Sequence, residues 1–158
     1  MSLTTTEDFP ILNPQGTDEE MLDVLQKETF TYFLTEVDDE TGLIADKTQP
    51  GSPSSIACVG MGLCCYVTGV ERKFISREDA VGKTVKVLNF LKNSQQGTEV
   101  DATGYKGFYY HFRDMRSGKR AWKSELSTVD TAILVKGIMG ERYYFTEKNK
   151  KEREISEV

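Results

Sequence analysis

Residues 56 to 70 read Ile-Ala-Cys-Val-Gly-Met-Gly-Leu-Cys-Cys-Tyr-Val-Thr-Gly-Val and carry no charge on any face. A helix needs about 20 apolar residues to cross a bilayer. This run is shorter and is loosened by three glycines, so it predicts a helix enclosed by other helices and no membrane span. The glycines let neighbouring backbones approach closely.

The other segments are patterned differently. Thr17-Asp-Glu-Glu20 has the form of a capping box, in which Thr17 and Glu20 satisfy each other's exposed amides, and it opens a first helix. Leu22, Leu25, Phe30, Phe33 and Leu34 give that helix an inward stripe, with Asp23, Gln26, Lys27 and Glu36 outside. Ser76-Arg-Glu-Asp79 is a second box, opening a one-sided third helix with Val81, Val85, Leu88 and Leu91 facing in. Ser127-Thr-Val-Asp130 is a third, ahead of a fourth helix that is nearly all apolar from Val129 to Val135. The order is amphipathic, enclosed, amphipathic, enclosed, which two concentric layers of helices would write into a sequence. The polar stretch 147–158 reads as the start of a fifth helix, and residues 1–16, with Pro10, Pro14 and Gly16, as an irregular lead-in to a domain over 17–158.

Two long connections, 37–54 and 93–127, precede the two enclosed helices. With antiparallel helix pairs, both fall on one face, where long loops on a rigid scaffold concentrate function. The alternation in Gly-Phe-Tyr-Tyr-His-Phe-Arg and the turn chemistry of Asp114-Met-Arg-Ser-Gly118 predict a β-hairpin over 107–123. These loops and the helix start that follows them collect Asp46, Tyr109, His111, Arg113, Trp122, Glu125 and Asp130.

Aromatic platforms beside carboxylates suit a sugar, because hydrolysis of a glycosidic bond needs one carboxyl as acid and another as base or nucleophile. Glu125 and Asp130 are the candidate catalytic pair; Asp46, Tyr109, His111, Arg113 and Trp122 are candidate substrate contacts. Each also has a structural reading. Asp130 stands at a capping position, Glu125 can be a solvated loop acid, Asp46 can hold its own loop, Tyr109 and Trp122 can be hairpin core, and His111 can be a structural hydrogen bonder.

Composition narrows the partners. Of the 158 residues 38% are hydrophobic and 28% charged, a balance that argues for a folded domain. The net charge of -5, from 20 basic and 25 acidic side chains, argues against nucleic acid. Cys58, Cys64 and Cys65 read as small core residues, and with a single histidine no spacing suits zinc, so neither metal nor cofactor is expected. The start Met-Ser-Leu-Thr-Thr-Thr-Glu-Asp lacks a basic segment followed by an apolar run, so any export signal was removed or never existed.

Several blocks, taken in order, resemble the opening of the glucoamylase-like glycoside hydrolase family. They are Thr29-Phe-Thr-Tyr-Phe33, Gly42-Leu-Ile-Ala-Asp46-Lys47, Ser54-Ser-Ile-Ala57, Gly60-Met-Gly-Leu63, Gly107-Phe-Tyr-Tyr-His-Phe-Arg-Asp-Met115, Arg120-Ala-Trp122 and Glu125-Leu-Ser-Thr-Val-Asp-Thr-Ala132. The Phe-Tyr-Tyr-His-Phe and Glu-Leu-Ser-Thr-Val-Asp blocks are the specific ones. The resemblance implies an all-α (α/α)6 toroid, bacterial exported enzymes that include endo-β-1,2-glucanases, a periplasmic or secreted location, and a glucan cleft lined by Trp122, Glu125 and Asp130. Such a toroid has twelve helices, so the resemblance also implies an incomplete, N-terminal part that self-associates and has little hydrolase activity alone. A non-catalytic glucan-binding module and a helical interaction module are the alternatives.

Overall fold

The computed structural model describes residues 16–147 and 149–157, so the lead-in expected over 1–16 lies, except for Gly16, outside the described residues. The chain is mostly helical: α1 (Asp18–Thr35), α2 (Ile56–Glu71), α3 (Arg77–Lys92), α4 (Thr128–Tyr144) and a short α5 (Lys150–Ser156). Local chemistry sets the starts. Thr17 and Glu20 complete the expected box at α1. The Ser76 hydroxyl accepts from the Asp79 N–H at 3.1 Å, and its own hydrogen goes back to the Asp79 carboxylate at 2.6 Å. None of the described helices is long and apolar enough to cross a membrane.

α2 and α4 form the tightest pair. A Cβ on Gly60 would stand 2.5 Å from the Ile133 carbonyl oxygen, and one on Gly137 would stand 2.3 Å from the Gly60 carbonyl oxygen. Backbone therefore meets backbone, which only glycine permits. The core gathers Ile56, Val59, Leu63 and Tyr66 of α2, Val81, Leu88 and Leu91 of α3, Leu134 of α4, and Phe145 and Ile155 beyond it.

Four expectations need correction. In α1 only Phe30 is buried, while Leu22 and Leu25 stand in water. α2 is not enclosed on every face: Met61 and Cys64 are exposed, and α4 likewise shows Val129, Val135, Met139 and Tyr143. These stripes have no packing partner among the described residues, so apolar character alone did not bury them. Cys64 is thus not a core residue, although all three cysteines are free thiols. The hairpin over 107–123 is only its tip, where Arg113 bridges Arg120 across the Asp114 turn.

The strands are organised by long-range pairing instead. β1 (Ser54–Ser55) pairs with β4 (Phe112–Arg113), while β2 (Gly104–Tyr105), β3 (Phe108–Tyr110) and β5 (Leu126–Ser127) form a second antiparallel sheet with β3 in the middle. One segment, residues 108 to 113, therefore pairs with both strands that lead into α2 and α4. The starts of those two helices are held side by side on one face.

Candidate functional site

His111 sits at the bend between β3 and β4. Its backbone spans both helix starts: its N–H donates to the Glu125 carbonyl at 3.0 Å, and its own carbonyl accepts from the Ile56 N–H at 3.0 Å. The side chain does the same between two carboxylates. Nδ1 lies 2.9 Å from Glu125 Oε1 and 3.6 Å from Asp130 Oδ2. Both neighbours are acceptors, so the tautomer that fits carries its hydrogen on Nδ1.

Asp130 is the third residue of α4, where the capping reading also applied. The two readings separate here. The Ser127 hydroxyl accepts from the Asp130 N–H at 3.1 Å, as a cap should. In α3 the equivalent carboxylate folds back onto its serine, whereas Asp130 faces His111. Its side chain is 16% exposed, against 67% for Glu125. The Glu125 carboxyl is held below its ordinary range by a hydrogen bond from its own backbone N–H, then by His111.

Asp46 approaches from the other loop. Its N–H donates to the Pro53 carbonyl at 2.8 Å, fixing the loop. Burial pushes the Cys58 thiol up, and the charges of Asp46 and then Asp130 add to this. Tyr32 donates to the Ala45 carbonyl at 2.5 Å, and burial, then Cys58 and Asp46, push its phenol up to about 12.

Trp122 is joined to the cluster through Phe112, which sequence reasoning missed. Phe112 stacks on His111 with ring centroids 3.9 Å apart, and Trp122 packs on Phe112 at 5.1 Å. The density of aromatic residues at 108–112 was the available signal. Trp122 and Lys123 have φ values of 53° and 54°, and the Ser124 N–H donates to the Ala121 carbonyl at 3.0 Å. This is the form of a type I′ turn, which favours Asn-Gly. Each non-glycine residue held there costs about 1–2 kcal/mol. Arg120 fastens the turn, donating from Nε to the Ser124 carbonyl at 2.6 Å and from Nη2 to the Lys123 carbonyl at 2.8 Å.

Tyr109 and Arg113 are not brought to this group. The Tyr109 ring packs against the core, and Arg113 is fully buried with its guanidinium 4.9 Å from the Tyr109 ring and 5.9 Å from that of Phe90. Nε of Arg113 donates to the Gly118 carbonyl at 2.9 Å, and desolvation lowers its pKa to about 10. Strict alternation would put residues 109, 111 and 113 on one side. The bend at His111 breaks it.

One nitrogen and two carboxylate oxygens, from His111, Glu125 and Asp130, lie within 4.8 Å of one another, the donor set that could hold a divalent cation. With no cation, the same geometry is a carboxylate pair bridged by an imidazole. It can position and pass a proton at the shared mouth of α2 and α4.

No protein-family model matches the chain. An exo β-1,2-glucooligosaccharide sophorohydrolase (non-reducing end) of Parabacteroides distasonis is 32% identical over 146 residues, covering 88% of this chain and 19% of the relative. Among solved structures, a β-1,2-glucanase of Parabacteroides distasonis superposes with a TM-score of 0.79 at 28% identity, over 90% of this chain and 20% of that one. An endo-β-1,2-glucanase of Chitinophaga pinensis gives 0.76 at 19% identity, over 90% and 35%, which speaks for the fold alone. Over nearly its whole length the chain is similar to glycoside hydrolases of the glucoamylase-like family. Within that family its matches include the β-1,2-glucan-degrading proteins just described, and it spans about a fifth of the length of the curated relative.

Proposed function

We propose that this chain carries part of the active site of a glycoside hydrolase acting on β-1,2-linked glucan. The observation that carries this reading is the pair Glu125 and Asp130, bridged by His111 at the shared mouth of α2 and α4. Their facing oxygens lie within 4.8 Å. An inverting mechanism needs about 6.5–9.5 Å between its two carboxyls to admit a water. We read the pair as one unit on one side of the scissile bond: Glu125, the more open carboxylate and held below its ordinary range, faces the sugar, and Asp130 and His111 fix its position. The opposing group comes from the part of the relatives' length that this chain does not span.

In this reading the helices belong to an (α/α)6 toroid of an exported, periplasmic or secreted enzyme, and further hairpins pack on the exposed stripe of α4. The isolated chain covers that stripe by self-association and hydrolyses little by itself. A binding-only module is the second reading, favoured by the exposed Trp122.

The test is reducing-sugar release from β-1,2-, β-1,3-, β-1,4- and α-1,4-glucans by the chain and by a full-length protein containing it, each with Glu125→Gln. We expect turnover of the β-1,2 polymer by the longer protein, a loss of about 10²–10⁴-fold with Glu125→Gln, and binding retained. Unchanged turnover in Glu125→Gln would refute the assignment. Light scattering on the chain reads its self-association.

A further inference from the structure

His111 and Phe112 are neighbours in the chain, yet their rings lie face to face, with planes only 14° apart and centroids separated by 3.9 Å. In extended backbone consecutive side chains point to opposite faces, so a strand running straight through both residues would hold these rings apart. The bend at His111 turns them to one side. Bonds from elsewhere keep the backbone there. The Ile56 N–H and the Glu125 carbonyl hold His111, while Ala121 and Ser124 hold Phe112.

Ser124 is buried and its hydroxyl has two bonds, both to Phe112. It accepts from the Phe112 N–H at 3.1 Å and donates back to the Phe112 carbonyl at 3.2 Å, so one side chain answers both main-chain groups, as a paired strand residue would. The Ala121 N–H adds a bond to the same carbonyl at 2.9 Å. Phe112 is thus mounted firmly, and its ring is the flat surface on which the imidazole rests. Glu125 and Asp130 both meet that imidazole at Nδ1, a single point about which the ring can still tilt. A stacked aromatic face resists tilting and leaves movement within the ring's own plane, between the two carboxylates.

We propose that Phe112, mounted on the Ser124 hydroxyl, is a positioning residue that fixes the plane of His111 and so keeps Nδ1 aimed at Glu125 and Asp130. Its part in hydrolysis rests on the reading of those carboxylates given above, whereas its hold on the imidazole does not. The isolated chain can therefore be used to test the hold, and a longer protein to test the consequence.

His111 is the single histidine of the chain, so its imidazole signals are read without overlap. Nitrogen NMR of the chain reports which ring nitrogen carries the hydrogen. The expected result is an Nδ1–H signal in the parent, lost in Phe112→Leu, weakened in Ser124→Ala and kept in Phe112→Tyr, with the backbone amide signals of α2 and α4 unchanged. Should Phe112→Leu fail to fold, Ser124→Ala carries the test, because it retains the ring and removes only its mount. An Nδ1–H signal undiminished in Ser124→Ala and in a folded Phe112→Leu would overturn the proposal, as would its absence from the parent. In a full-length protein containing the chain, Phe112→Leu should lower kcat on β-1,2-glucan about 10–100-fold with KM unchanged, and Phe112→Tyr should restore it. A lost signal with unchanged kcat would leave the hold on His111 standing and count against the reading of Glu125 and Asp130 instead.

Discussion

Glu141 is fully buried on α4, where Thr84 of α3 donates to its Oε2 at 3.0 Å and Oε1 has no partner among the described residues. Burial raises its pKa from the ordinary 4.5 to about 8, so the folded protein holds a proton that the unfolded chain has released. The native state therefore binds more protons than the unfolded one between those values. Stability is greatest below pH 4.5 as far as this group is concerned, falls by about 1.4 kcal/mol per pH unit through the window, and levels off above pH 8. Full ionisation thus costs roughly 4–5 kcal/mol, a large share of a domain's stability. Glu141→Gln keeps the shape and removes the titration, so it should be more stable than the parent at pH 8 by a few kcal/mol and much closer to it at pH 5. Urea unfolding of both proteins from pH 5 to 9 measures this. A parent whose stability is flat or rises over that range, or a glutamine variant that is no more stable at pH 8, would refute the burial argument.

Arg77 joins α3 to α5, bonding Glu152 from Nε and Nη2 at 2.9 Å each and lying 5.0 Å and 4.9 Å from the Tyr144 and Phe145 rings. Arg77→Ala leaves the buried Glu152 unpaired, at a cost of about 2–3 kcal/mol once Arg77's own exposure is discounted; hydrogen exchange at 150–156 should quicken, and unchanged protection would count against the clasp. Gly137→Ala drives a methyl into the Gly60 carbonyl and should cost at least about 1–3 kcal/mol in urea unfolding. Gly140→Ala, with nothing within 4 Å, should be neutral or stabilising, and equal effects would dismiss the close crossing. Lys123→Gly relieves the strained turn and should stabilise by about 1 kcal/mol, raising Tm by about 2–4 °C; a lower Tm would mean that the turn carries no strain.

Features fixed by neighbours in the chain were legible. The box at Thr17 forms as its spacing predicts, and at Ser76 the cap on the Asp79 N–H forms while the Asp79 carboxylate takes the Ser76 hydroxyl, because groups three residues apart meet without help from the fold. Features fixed by distant partners were not. Leu43, Ile44 and Ala45 are core residues inside what reads as a turn-rich loop, and Arg113 and Glu141 are charges that periodicity would leave in water. The strand pairing escaped for the same reason: Ser54 finds Arg113 across more than fifty residues, whereas the local alternation suggested a hairpin closed on itself. Of the site, the grouping of Glu125, Asp130 and His111 followed from long loops converging on one face. The inward turn of Tyr109 and Arg113 depended on a bend that no alternation encodes.

The bend at His111 also explains how an open-faced group of helices can hold two carboxylates in register. α2 and α4 touch through glycine backbones, which fixes their distance and leaves their ends free to splay. The 108–113 segment removes that freedom, because β3 pairs with the strand before α4 and β4 with the strand before α2. His111, between them, is tied by its N–H to Glu125 and by its carbonyl to Ile56. Its position is thus set by the backbone of both helix entries, and the imidazole is left to bridge Glu125 and Asp130. A side chain placed this way can change its hydrogen bonds without loosening the fold. That separation between a rigid main-chain frame and adjustable side chains is the arrangement that the proposed acid–base role would need.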